Sequence, residues 1–338
     1  MLTTMKKLLT RGLALAVFSA PFVLHGGDAA AQKFKVALAL PGAVSDMGFN
    51  ASAHAGLMLV KERAGAEVAF SENVKRPDFV ATLRDFANRD FDVIIAHGFQ
   101  WGDALEKVSA EFPKKHFINT YGFGKGENLA NLHIAQEQLF YVMGQLAVKM
   151  SKKKNIGVVG GWEIPPIRIQ VDAFKRGALA ADPNVKVNII FTGTFYDAVK
   201  GKEATRALIS QGSDLVAHMA DASGLGVIEA AREANILTMG YFADQQGLAP
   251  SHIVTSAIIK SDEMLLNAVQ DVKKGTFKKG MNIFGFNEGI LAIGRFGPMV
   301  SDDIKKEVNG LVEKIKSGEV KVTPPNVPEL MKAKIKMI

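Results

Sequence analysis

Between residues 34 and 120, short apolar runs alternate with amphipathic stretches, and this alternation constrains the fold more than any other feature. Residues 36–40, 66–70, 91–96 and 116–120 read as strands. Between them lie helix-patterned segments at 51–63, after Pro77, and at 102–112. Phe79, Val80, Leu83, Phe86 and Ala87 share one face of the second helix, and Leu105, Val108 and Phe112 share one face of the third. Strands separated by helices of this length can pair only in parallel, through right-handed crossovers. The expected class is α/β.

Gly122-Phe-Gly-Lys-Gly126 interrupts the pattern, and a second series follows. Helices are expected at 135–150, 167–181, 200–211 and 224–234, with strands at 156–159, 185–191, 214–218 and 236–240. Segments 92–102 and 214–224 share an Asp before the strand and a Gly ten positions later, which agrees with two similarly built lobes. The chain then continues with strand-like residues 253–259, a helix at 263–273, strands at 282–286 and 290–293, and a helix at 302–316. Extra material after two complete series implies further crossings between lobes, which make a hinge with a ligand cleft beside it. The expected division is 32–124 plus 253–286 for the first lobe, 125–252 plus 287–325 for the second, and a basic tail at 326–338.

Residues 1–31 read as an export signal: Lys6, Lys7 and Arg11 precede an apolar run at 13–24, and Ala29-Ala30-Ala31 offers a small-residue cleavage site. The run is too short to span a bilayer. The chain carries 41 Lys+Arg against 34 Asp+Glu, a formal charge of +7. Cleavage near Gln32 removes three positive charges and Asp28, leaving +5. The densest basic stretches, 149–154 and 332–336, are not interleaved with aromatics and read as solvated surface rather than a nucleic-acid interface. With 0 cysteines there are no disulfides, no thiolate metal sites and no lipid-modified cysteine. The expectation is an exported, freely diffusing periplasmic monomer.

The loop 41–50 follows the first strand and precedes the first helix, the position at which open α/β sheets bind ligands. It carries Ser45, Asp46, Phe49 and Asn50, a set suited to a polar molecule with a flat ring. Asp46 serves equally well in the first turn of a helix, Asn50 fits a cap, and Phe49 can stack on ligand or pack the helix start. Trp101 and Trp162 each follow a strand and can stack or fill a hinge. Asp221 precedes a helix whose default cap is Ser223. Enzyme chemistry finds little support: the first loop has a single Asp, the 7 histidines lack metal-ligand spacing, and no Gly-x-Ser-x-Gly elbow is present. No metal or cofactor is expected. A repressor would place a DNA-binding helix pair where this chain has its signal segment.

Several ordered motifs carry a family resemblance. They are Pro41-Gly with Ser45-Asp-Met-Gly-Phe-Asn50, Gly98-Phe-Gln-Trp-Gly-Asp103 and Val158-Val-Gly-Gly-Trp-Glu-Ile-Pro165. Thr192-Gly-Thr-Phe-Tyr-Asp197, Gly224-Leu-Gly-Val227 and Ile315-Lys-Ser-Gly318 continue the order. The chain resembles the basic membrane protein family, periplasmic solute-binding proteins that include purine nucleoside receptors of ABC transporters. The resemblance covers essentially the whole mature chain. It implies a type I periplasmic-binding fold, two parallel-sheet lobes joined by a three-crossover hinge, and delivery of cargo to a membrane permease. It also implies a purine nucleoside, nucleobase or similar heterocycle held between aromatic rings, with Phe49 and Phe195 at the matching ring positions.

Departures from the family pattern bear on the cargo. Many relatives carry Gly-Val-Asp-Ser-Asp-Gln where this chain has Gly240-Tyr-Phe-Ala-Asp-Gln245. Phe242 therefore replaces an acidic residue that helps hold the nucleoside, while Asp244 keeps the second. The basic residue after Thr255-Ser-Ala is Lys260, one place late, and Gln138 stands where a glutamate is usual. Fewer charged acceptors make a nucleobase or another planar heterocycle as well suited as an intact nucleoside. A sugar-like ligand and a nucleoside-processing enzyme are the competing expectations.

Overall fold

A computed structural model describes residues 33–46 and 48–322. The export signal and the basic tail lie outside the described residues. The chain opens with β1 (Lys35–Ala39), α1 (Phe49–Ala64), β2 (Glu67–Ser71), α2 (Phe79–Asn88), β3 (Val93–His97), α3 (Gly102–Glu111), β4 (His116–Thr120) and β5 (Leu129–Ile134). It crosses into α4 (Gln136–Met150), β6 (Asn155–Gly160), α5 (Pro165–Ala181), β7 (Lys186–Phe191) and α6 (Ala198–Ser210). There follow β8 (Leu215–Met219), α7 (Ser223–Glu233), β9 (Leu237–Phe242) and β10 (Ile253–Ile259). It returns as α8 (Ser261–Lys273) and β11 (Gly280–Phe284), then crosses again to β12 (Leu291–Ile293) and α9 (Asp302–Lys316).

Two six-stranded sheets result, ordered β11-β5-β4-β3-β1-β2 and β12-β10-β9-β8-β6-β7. Every pairing in the first is parallel, and in the second only β12 on β10 runs antiparallel. β3 (VIIAH) and β8 (LVAHM) are buried along their whole length, as expected of strands covered by helices on both faces. This is the type I periplasmic-binding architecture: two α/β lobes joined at residues 134–136, 259–261 and 284–291. Among the described residues, no helix is long and apolar enough to cross a membrane.

The lobe division differs from the expected one in two places. Residues 129–134 form β5, which pairs with β4 in the first sheet, so the first crossing comes after Ile134 rather than at 124. Strand β10, expected with the first lobe, pairs with β9 in the second, and only α8 and β11 return to the first sheet's lobe. Both differences have one cause: strands buried on both faces carry no periodicity that says which sheet they join. Hydrophobic core runs without a break from the α1 and α8 layer through Tyr121, Tyr241 and Phe242 to Phe140 and Phe174.

Candidate functional site

The carboxyl ends of the strands face one another across a cleft of about 710 Å³. Its walls are the residues that follow those ends. After β1, β3 and β4 come Phe49 and Asn50, then Phe99 and Gln100, then Tyr121. From the second lobe, Trp162 follows β6, Phe195 and Tyr196 follow β7, Asp221 follows β8, and Tyr241 and Phe242 end β9. The lining is mostly apolar and aromatic with a few polar groups, the composition typical of a small-molecule site.

Phe49 is fixed from several sides. Its ring centroid lies 3.9 Å from that of His97, 5.4 Å from Tyr121 and 6.3 Å from Phe242, the last an edge contact that spans the two lobes. His97 also binds the Phe49 backbone: Nε2 lies 3.0 Å from the Phe49 carbonyl oxygen, and Nδ1 lies 2.7 Å from Thr120 Oγ1. A carbonyl can only accept, so Nε2 carries the hydrogen and Nδ1 accepts from the threonine hydroxyl. Thr120 Oγ1 in turn accepts from Gly98 N at 3.0 Å. Burial drives the His97 pKa down to about 3, so the ring stays neutral and holds one tautomer. Each ring pair contributes about 0.5–1.5 kcal/mol beyond area burial.

Asp46 organises the loop from inside. One carboxylate oxygen accepts from Gly48 N (3.0 Å) and Ala51 N (2.9 Å), and the other from Asn50 N (2.8 Å) and Asn50 Nδ2 (2.7 Å). Four donors spend its acceptor capacity on the amino end of α1, where the helix dipole also favours an anion. Asn50 points its Oδ1 at Gly42 N, 3.2 Å away, and lines the cleft. Tyr196 of the second lobe reaches this same corner: a Cβ on Gly42 would lie 2.6 Å from Asn50 Nδ2 and 2.8 Å from the Tyr196 hydroxyl.

On the other wall, Phe195 lies against Gly161 so closely that a Cβ there would fall 2.2 Å from a ring carbon. Its turn is anchored by Ser223, which donates its N–H to the Phe195 carbonyl (3.1 Å) and accepts from Asp197 N through its hydroxyl (3.0 Å). Ser223 is therefore a brace for this turn rather than the cap of α7, whose cap position falls at Ala222. Gln170 and Gln136 bring a buried amide pair into the cleft, Gln170 Nε2 donating to Gln136 Oε1. At the rim, Arg168 pairs with Glu163 through Nη2 at 2.6 Å, both side chains about half exposed.

Asp221 is the acidic group deepest in this wall. It has a left-handed φ of 44°, its Oδ1 is buried without a hydrogen-bond partner among the described residues, and a Cβ on Gly48 would lie 2.9 Å from that oxygen. Burial, and secondarily the charge of Asp46, pushes its pKa up to about 8. Tyr121 and Phe242, at φ 58° and 69°, occupy the same strained region immediately at strand ends lining the cleft. Tyr121 is steadied by a hydrogen bond between its hydroxyl and Ser261 Oγ at 2.9 Å.

The expected site residues thus divide. Phe49, Trp162, Phe195, Asp221 and Phe242 are brought together around the cleft. Ser45 is exposed on the loop, and Asp46 is buried inside it. Trp101 is wholly buried and stacks on Phe79 with centroids 3.6 Å apart, a core role set by the apolar face of α2. Asp244 lies outside the lining; it pairs with Arg295 at 2.5 Å and accepts from Gln246 N at 3.0 Å. Lys260 also lies outside, exposed at the crossing before α8 and donating its backbone N–H to the Ile290 carbonyl. Gln138 accepts from Phe286 N at 3.3 Å in the hinge. The sequence reading set Asn50 aside as a cap and passed over Tyr121, Tyr196, Tyr241 and Gln170; only a position near the end of a strand, or in Gln170's case one helical turn into α5, could have signalled the latter four.

Residues 33–325 match the family model of PnrA-like ABC transporter substrate-binding proteins. A purine-binding protein of Brucella abortus is 28% identical over 304 residues, covering 89% of this chain and 86% of its own. The transcriptional activator protein med of Bacillus subtilis is 24% identical over 288 residues, covering 85% and 90%. Among solved structures, an ABC transporter solute-binding protein from Aeropyrum pernix superposes with a TM-score of 0.78 at 21% identity, covering 88% of this chain and 97% of that one.

Proposed function

Because this chain belongs to the PnrA-like family of ABC transporter substrate-binding proteins, we propose that it captures a planar nitrogen heterocycle of the purine type in the cleft. The family function implies a small-molecule ligand and a permease that receives it. The finer reading is an exported, cleaved, periplasmic monomer that is not lipid-anchored, does no chemistry on its cargo and does not bind nucleic acid.

The observation that carries the ligand class is the aromatic lining contributed by both lobes to one cleft. Phe49 stands on the first lobe, locked by His97, and Phe195 on the second, seated on Gly161. A flat ring entering between them gains stacking contact from both, and that contact is lost when the lobes part. This is how ligand favours the closed form. Phe242 supports a base over a nucleoside: it puts an apolar ring where the family pattern has an acidic residue, and it packs edge-on against Phe49. The two prolines that open α5 remove backbone donors from the wall beside Trp162, which disfavours a phosphate group there.

Thermal denaturation with adenine, guanine, hypoxanthine, inosine, ribose and common amino acids tests this. A base at a hundred times its Kd should stabilise the fold by about 2.7 kcal/mol. Stabilisation by ribose or an aliphatic amino acid, with none by any base, overturns the assignment. Native mass spectrometry of freshly purified protein provides the independent reading through co-purified cargo.

A further inference from the structure

Most polar groups around the cleft are already committed. Asn50 spends its amide on Gly42 and Asp46, the Tyr121 hydroxyl is held by Ser261, Arg168 holds Glu163, and Gln170 Nε2 serves Gln136. Two acceptor atoms on lining residues stand apart from this pattern. Asp221 Oδ1 and Gln170 Oε1 are both buried and both lack a hydrogen-bond donor among the described residues. Leaving one such acceptor unmet costs about 1–3 kcal/mol, and folded proteins rarely leave two in one cavity.

The two oxygens belong to one chamber. Both residues line the same cleft, where the Tyr241 and Tyr121 hydroxyls feel the charge of Asp221. Gln170 is held by α5 and α4, while Asp221 sits at the end of β8, against the backbone of Gly48 across the cleft. The N–H donors of a flat nitrogen heterocycle lie in its plane, so a ring stacked on the aromatic walls offers them from its edges.

We propose that the cargo is an amino-substituted nitrogen heterocycle, and that Asp221 Oδ1 and Gln170 Oε1 select it by accepting N–H donors from two of its edges. This rests on the reading of the cleft as a heterocycle site. It adds that the site favours rings carrying those donors over rings of the same shape without them, because only the former satisfy two oxygens that the empty cleft leaves buried and unmet. It also makes Asp221 and Gln170 specificity-determining positions.

The test compares adenine with 6-methylpurine, which has the same outline but carries a methyl group in place of the amino group. Calorimetric titration of the whole mature protein should give adenine an affinity at least about tenfold higher, equivalent to roughly 1.4 kcal/mol. In Asp221→Leu or in Gln170→Met, whichever oxygen meets the exocyclic amino group, that preference should shrink to within about threefold. Asp221→Leu deletes an oxygen that has no partner, so its melting temperature should hold or rise, which separates loss of selectivity from loss of fold; Gln170→Met also removes the donor to Gln136 Oε1 and is compared with it for selectivity alone. Equal binding of adenine and 6-methylpurine, or a preference that survives in both variants, overturns the donor rule while leaving the heterocycle site intact. Binding of neither ring, with a ring-free cargo bound instead, overturns the site reading and this inference with it.

Discussion

Asp46 and Asp221 are two carboxylates on either side of one cleft, and their surroundings give them opposite characters. Asp46 is surrounded by four donors and fixes a helix start, while Asp221 has an oxygen with none. Among the described residues, the groups that act electrostatically with Asp221 are Asp46, Tyr121, Tyr196 and Tyr241, and no basic side chain is among them. In the folded chain Asp221 keeps its proton up to about pH 8, whereas an unfolded carboxyl releases it near the ordinary 3.8. The stability tied to this group is therefore complete below the unfolded value and is lost as pH rises through the folded one. Glu137, raised to about 7 by burial, acts with the same sign over a narrower window. Denaturant midpoints of the ligand-free protein should fall between about pH 5 and pH 8.5, and Asp221→Asn should flatten part of that fall. An unchanged slope in the variant would show that the acid is not buried as described. The sequence made Asp46 and Asn50 visible as a carboxylate and an amide near a helix start. It could not say which of them would face the cleft, because that depends on which backbone N–H groups the loop turns inward.

At the scale of elements, the second lobe depends on helices that touch backbone to backbone. A Cβ on Gly144 of α4 would lie 2.0 Å from the Phe174 carbonyl, and one on Gly177 of α5 would lie 2.0 Å from the Tyr141 carbonyl. Helices α6 and α7 repeat the device with Gly201 and Gly226. Gly177→Ala should cost about 1–3 kcal/mol by forcing α4 and α5 apart. Gly310→Ala, in α9 where nothing lies within 4 Å, should instead be neutral or stabilising, and paired melting curves check both. The alternation of strands and helices, and with it the α/β class, was readable from periodicity alone. Strand β5 was hidden behind the glycine-rich 122–126 segment, and β10 was legible as a strand but not as a member of the second sheet. Pairing partners are a property of the assembled sheet, and a run such as Ile-Val-Thr-Ser-Ala-Ile-Ile is equally content between any two neighbours.

For the whole molecule, three crossings tie two similar lobes, and the aromatic seam of Phe49, Tyr121, Tyr241 and Phe242 continues the core from one lobe into the other. The chain's 2 tryptophans lie on opposite sides of what this arrangement can change. Trp101 is sealed against Phe79, and Trp162 stands at the cleft wall with 39% of its surface exposed. One fluorophore is thus an internal standard and the other a reporter. Cargo binding should shift and quench only the Trp162 share of the emission, and Trp162→Phe should leave a spectrum indifferent to ligand. Acrylamide should reach the emitter of the Trp101→Phe protein and spare that of Trp162→Phe. The receptor carries its own two-channel optical gauge of occupancy, with no dye to attach and no cysteine needed to attach it.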